Sequence, residues 1–163
     1  MLRILSLSII SLFISLLAYT QEDIREHRFG VSGVYQNDKE QMGGAEISYQ
    51  HNITGIRRME YDFAGLSATT WDILQFTVVY QWRLIRKGGF NFYTGPGLGI
   101  GYANYGYGED QFYGAVVADI GVDYTFKWPF QIGLKYRPGW SKAREKIGND
   151  IEHQISFAIR LAF

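Results

Sequence analysis

Apolar side chains fall at every second position over most of this chain, and stretches with that pattern recur eight times. After Thr20, no stretch holds apolar residues at i, i+3, i+4 and i+7 for three turns. Period-two alternation marks strands with two unlike faces, and the missing helical period excludes a helical core. The pattern predicts strands over Phe29–Tyr35, Gly44–His51, Arg58–Gly65, Ile73–Arg83, Phe90–Tyr102, Gln111–Tyr124, Phe130–Pro138 and Ile151–Phe163. The class is all-β.

The connections alternate in kind. "QNDKEQMG", "LSATTWD", "ANYGYGED" and "WSKAREKIGND" are polar and mostly long, whereas "NITGI", "LIRKGG" and "TFKWP" are short turns with Gly, Asn or Pro chemistry. Long and short connections in alternation describe an antiparallel meander with two different ends. Eight such strands suffice to close an up-and-down barrel and remove both edges. Pro96 lies inside the fifth strand and lacks a ladder donor, which predicts a local bulge between Gly95 and Gly97.

The contents of the two faces decide which one is wet. One row, running from Phe29 and Val31 through Leu98 and Ile100 to Ile159, Leu161 and Phe163, carries no charge. The other holds the acids Glu46, Glu60, Asp62, Asp119 and Asp123 and the bases Arg58, Arg83, Lys135, Arg137 and Arg160. Glycines 95, 97, 99 and 101 belong to that second row. A soluble barrel's solvent face needs neither charge balance nor a run of glycines. A narrow, closed, polar interior needs both, because an unpaired buried ion is costly. The ten charged residues therefore form a candidate structural network inside the barrel, and the uncharged row faces lipid.

The aromatic residues follow the same division. Trp82 and Trp128, with Phe90, Phe126 and Phe130, fall at the short-turn end; Trp71 and Trp140, with Tyr35, Tyr102 and Phe112, fall at the loop end. Two aromatic girdles bounding an uncharged band mark a membrane barrel.

Residues 1–20 have the order of a secretory signal peptide: Arg3, then an apolar stretch over Ile4–Leu17, then the small residues Ala18 and Thr20. Fourteen helical residues would span only about 21 Å, short of the roughly 30 Å hydrocarbon core, so this segment does not read as an anchor. Residues 21–28 read as a short periplasmic segment and 29–163 as the transmembrane barrel. The chain has no cysteine, and its sixteen basic and sixteen acidic residues cancel. Neutrality speaks against a nucleic-acid partner and against a basic membrane-surface patch.

A final strand with Phe157, Ile159 and Leu161 in alternation and Phe163 at its end resembles the C-terminal assembly signature of bacterial outer-membrane proteins. "FYTGPGLGIGY" (Phe92–Tyr102) resembles the Gly-rich strand of the small outer-membrane β-barrel domain family. The resemblance implies the outer membrane of a diderm bacterium, with periplasmic turns and extracellular loops. It also implies contact with outer-membrane lipid and lipopolysaccharide. Biogenesis would use the barrel assembly machinery and periplasmic chaperones. The family hosts adhesins, structural proteins, small channels and lipid-modifying enzymes, so the resemblance specifies architecture more than activity.

The residues themselves point away from chemistry. A lipid A deacylase needs a nucleophile and a base on one face, but His153 and Ser156 are three residues apart in a strand and fall on opposite faces. Asp119 and Asp123 share a face about 13 Å apart, too far to chelate one ion alone. Glu109 and Asp110 read as solvated loop carboxylates, and no phosphate-binding or dinucleotide motif fits. No catalytic residue, cofactor or metal is expected. An eight-stranded interior is about wide enough for side chains to fill, so a narrow porin-like solute channel is a weaker reading than a plugged barrel. The expected role is envelope integrity or loop-mediated interaction, with any extracellular ligand unidentified.

Overall fold

The computed structural model describes residues 26–37, 41–104, 110–141 and 151–163. The expected signal peptide, most of the segment 21–28, Glu109, and the middles of three long loops lie outside the described residues. Eight strands follow one another: β1 (His27–Asn37), β2 (Gln41–Asn52), β3 (Arg57–Ser67), β4 (Asp72–Lys87), β5 (Phe90–Asn104), β6 (Gln111–Thr125), β7 (Phe130–Ser141) and β8 (Glu152–Ala162). Each pairs antiparallel with its neighbour, and β1 pairs with β8, so the sheet is a closed barrel. The strands are mostly longer than alternation alone indicated, since pairing continues past the last apolar residue into the polar flanks.

At the short-turn end, β4 and β5 are joined by Gly88 and Gly89, both with positive φ (59° and 87°). A two-residue hairpin needs φ above zero at both central positions, and glycine adopts it without a side-chain clash. Lys87 opposes Phe90 across this turn. The Phe126–Phe130 turn is closed by a backbone bond from Phe126 N–H to the Phe130 carbonyl (2.9 Å).

Side chains alternate strictly between outside and inside over most strands; β8, for example, buries Gln154, Ser156, Ala158 and Arg160 and exposes Ile155, Phe157, Ile159 and Leu161. Exposed large apolar residues cover the outer surface, with Leu98 and Ile100 each 67% accessible. Charged outward positions such as Arg57, Lys87 and Asp72 sit at strand ends.

Two expectations need correction. Pro96 produces no bulge: Gly95, Pro96 and Gly97 pair with Asp119, Ala118 and Val117 in unbroken register. On the β4 side, the Val79–Gly97 and Trp82–Thr94 pairs also share one register, and the shift falls between Arg83 and Ile85 instead. The glycines flanking Pro96 explain this. An ideal Cβ at Gly95 would stand 1.8 Å from the Tyr80 carbonyl oxygen, so the absent side chain lets β4 pass close beside the proline without an inserted residue. Trp71, in turn, is no girdle residue. It is partly buried and packs with Ala68 against an inner apolar cluster, in a connection closed by a bond from Ala68 N–H to the Trp71 carbonyl (2.9 Å). Trp82, Trp128 and Trp140 are outward and exposed.

Glycine also makes room inside. Tyr93 lies directly opposite Gly121, and Tyr113 directly opposite Gly101, on the β5–β6 pair. A Cβ at Gly121 would stand 2.4 Å from the Tyr93 hydroxyl, and one at Gly101 would stand 2.3 Å from the Tyr113 ring.

Candidate functional site

Among the described residues, charged side chains are concentrated in the interior. Burial of Arg28, Glu46, Arg58, Glu60, Asp62, Arg83, Asp119, Asp123, Lys135, Arg137, Glu152 and Arg160 puts six acids and six bases on the inner face among the described residues. The strand period sends each one inward, and closure of the sheet makes residues from distant strands face one another.

Lys135 on β7 is the centre. Its Nζ donates to Glu46 Oε1 (2.9 Å), Glu60 Oε1 (2.9 Å) and Asp62 Oδ2 (3.0 Å), which uses all three ammonium protons. Arg137, two residues on, donates from Nη1 to Glu46 Oε2 (3.2 Å), from Nη2 to Asp62, and from Nε to Asp119 Oδ1 (2.6 Å). Arg160 joins from β8, through Nη2 to Glu60 Oε1 (3.0 Å) and Nε to Ser48 Oγ (3.0 Å). Nearer the turn end, Arg58 Nη1 pairs with Asp123 Oδ2 (2.7 Å), and its guanidinium lies 4.2 Å over the Tyr93 ring. Asp123 Oδ1 also accepts from Asn91 (2.6 Å) and Gln131 (3.0 Å).

Gln81 joins the two groups. Its Nε2 donates to Glu60 (2.9 Å) and Asp119 (3.0 Å), while its Oε1 accepts from Arg58 Nε (2.5 Å). Nine of the ten sequence-predicted charges thus enter one bonded system. Arg83 stands apart near the turn end, where its Nη2 donates to the Thr54 carbonyl (3.2 Å). Sequence reasoning missed Gln81, Arg28 and Glu152. Glu152 accepts from Ser141 Oγ (2.7 Å) and Gln36 Nε2 (3.4 Å) near the loop end. Its burial was masked in the sequence by the polar loop beside it.

Glu46, Glu60 and Asp62 each offer an oxygen within 4.8 Å of the others, a grouping that sequence spacing did not reveal because two strands contribute to it. Lys135 bonds to all three, Arg137 to Glu46 and Asp62, and Arg160 to Glu60, so three cations of the chain already stand where an ion would be needed.

The loop end of the interior has the opposite character. Val34, Met42, Leu66, Ile73, Val79 and Val117 point inward there and pack with Tyr113. Alternation had assigned apolar residues to the outer row alone, and these fall in the inner one.

His153 and Ser156 lie on opposite faces: Ser156 is buried in the lumen, and His153 is exposed, its Nδ1 2.7 Å from the Tyr136 hydroxyl. Phe157, Ile159, Leu161 and Phe163 all face outward. Phe163 and His27 exchange two backbone hydrogen bonds, of 3.0 and 2.9 Å, at the β1–β8 seam. Outside, between β3 and β6 toward the loop end, an apolar groove of about 510 Å³ is bounded by Phe63, Leu74, Phe76, Ile100, Tyr102 and Phe112.

No protein-family model matches the chain, and no curated protein matches it in sequence. Solved structures do match in fold. Neisserial surface protein A is similar over 84% of this chain and 96% of its own, at 15% identity and TM-score 0.65. The attachment invasion locus protein of Yersinia pestis is similar over 85% and 97%, at 14% identity and TM-score 0.55. The N-terminal β-barrel domain of Pseudomonas aeruginosa OprF is similar over 85% and 99%, at 13% identity and TM-score 0.56. The chain has the fold of the small eight-stranded β-barrels of the bacterial outer membrane.

Proposed function

We propose that this protein is a small outer-membrane barrel whose interior is closed to solutes and whose role is envelope integrity or display of its loops. The observation that carries this reading is the double filling of the lumen. A bonded ion network occupies the middle, and an apolar cluster caps the loop end. A conducting pore needs a continuous wet path. Here the charges are turned toward one another, and the apolar cluster fills space at the loop end.

The exposed apolar belt suits outer-membrane lipid, including the acyl chains of lipopolysaccharide, as its surroundings. On this reading, export, periplasmic chaperones and the barrel assembly machinery deliver it there, and Phe157, Ile159, Leu161 and Phe163 form the assembly signal. A role in lipid A hydrolysis is disfavoured, because the wall of the barrel separates His153 from Ser156. Deleting the gene and scoring envelope permeability together with lipid A composition tests the proposal. Altered permeability with unchanged lipid A is the expected result. A changed acylation pattern would reassign the protein to the lipid-modifying enzymes.

A further inference from the structure

The rim at the short-turn end carries a group of side chains that belongs neither to the lumen network nor to the apolar belt. His27 on β1 lies directly opposite His51 on β2. Their Nδ1 atoms are 3.3 Å apart, and the two rings are stacked, with centroids 4.9 Å and planes 19° apart. Tyr49, two residues before His51 and on the same face, brings its hydroxyl to 2.8 Å from His27 Nδ1. All three side chains are half-buried on the outer face, at the last residue pairs before the short turn.

His27 Nδ1 therefore faces two polar partners at once. An imidazole nitrogen has a single in-plane site, holding either a proton or a lone pair. It serves one of these partners well and not both, so hydrogen bonding leaves one of them unmet. A rotation of the stacked rings about χ2 turns both Nδ1 lone pairs toward one ion and resolves the competition. Two nitrogens bound at about 2.0 Å to one tetrahedral ion stand about 3.3 Å apart, which matches the Nδ1 separation here.

We propose that His27 Nδ1 and His51 Nδ1, with the Tyr49 hydroxyl as a third donor, form a binding site for a divalent transition-metal ion of the zinc class, water completing the shell. Imidazole donors select Zn²⁺, Cu²⁺ or Ni²⁺ over the oxygen-seeking Ca²⁺ and Mg²⁺. The site has a structural consequence as well. The His27 ring stacks on Phe163 (centroids 5.9 Å apart), and its backbone holds the β8 end of the seam. An ion joining His27 to His51 ties β2 to that seam and stabilises the folded barrel by mass action.

Zn²⁺ titrated calorimetrically into the full barrel, refolded in detergent and cleared of metal by a chelator, tests the site. One equivalent should bind to the wild type and to His153→Ala alike. His27→Ala and His51→Ala should each weaken binding by about ten-fold or more. Modification of the unsubstituted protein by diethylpyrocarbonate, read by mass spectrometry, gives a second measurement that does not depend on the variants folding. Zn²⁺ should shield His27 and His51 and leave His153 reactive. Equal Zn²⁺ affinity in the wild type and both rim variants, binding lost only with His153→Ala, or no shielding of the His27–His51 pair would each overturn the proposal.

Discussion

Arg160 and Glu60 meet across the barrel interior at 3.0 Å, from β8 and β3, one hundred residues apart in the chain. They are not on neighbouring strands. The pair closes a path from Arg160 through Glu60 to Lys135 and so to Glu46 and Asp62. Both side chains are removed from water, so each depends on the other for compensation.

Arg160→Ala should therefore destabilise the folded barrel by about 3–5 kcal/mol, the cost of breaking a buried ion pair and leaving the network one positive charge short. The urea midpoint in detergent or lipid measures it. The double variant Glu60→Gln/Arg160→Gln removes one charge of each sign and should lose less than Arg160→Ala alone. A double variant weaker than the single one would show that the network is not held by charge balance.

His153→Ala should leave that midpoint nearly unchanged, because the ring is exposed and only its contact with Tyr136 is lost. Lipid A from cells expressing the wild type and the variant should give identical mass spectra. An acyl chain lost in one and kept in the other would restore the hydrolase.

Gly95→Ala and Gly114→Ala should differ sharply. The new Cβ at Gly95 meets the Tyr80 carbonyl oxygen at 1.8 Å, and the one at Gly114 meets nothing within 4 Å. The first variant should fail to show the compact, heat-modifiable band on an unboiled gel, while the second should fold at wild-type yield.

Reconstituted in liposomes, the purified protein should admit no sugars in swelling assays. Robust uptake that falls with sugar size would mean that the cap of Met42, Leu66 and Ile73 does not seal the loop end.

Replacing Phe163 with Asp should reduce the folded-band yield while export proceeds. The residue contributes two backbone bonds and a ring contact to the seam, and a charge there faces outward into the apolar belt. Wild-type yield of the folded band in this variant would remove the residue from any part in assembly.

Much of this architecture was readable from alternation, because a strand's two faces are written into neighbouring positions. Which lumen residues meet was not. Strand stagger sets the partners across a barrel, and period two carries no information about stagger; hence neither the Arg160–Glu60 pair nor the Gln81 link between Arg58 and Glu60 could be named from it. The inner cap escaped for another reason. Val34, Leu66 and Ile73 fall between outward residues and so belong to the inner row, but the charges of that row drew the attention and its apolar members were not named. Pro96 misled because a proline inside a strand usually forces a bulge, and its glycine neighbours relieve the crowding instead.

The Tyr93–Gly121 pair acts as a key cut for a single alignment of β5 and β6. Sliding one strand by two places keeps every apolar side chain outside, so the lipid-facing pattern does not notice the mistake. Tyr93 does notice. Tyr93 would then oppose Asp119 or Asp123, the residues two before and two after Gly121 on β6, and its ring would have no empty space to enter. Proofreading of the sheet during assembly is thus entrusted to the hidden side of the wall, by an aromatic ring that fits only where the opposite strand has nothing.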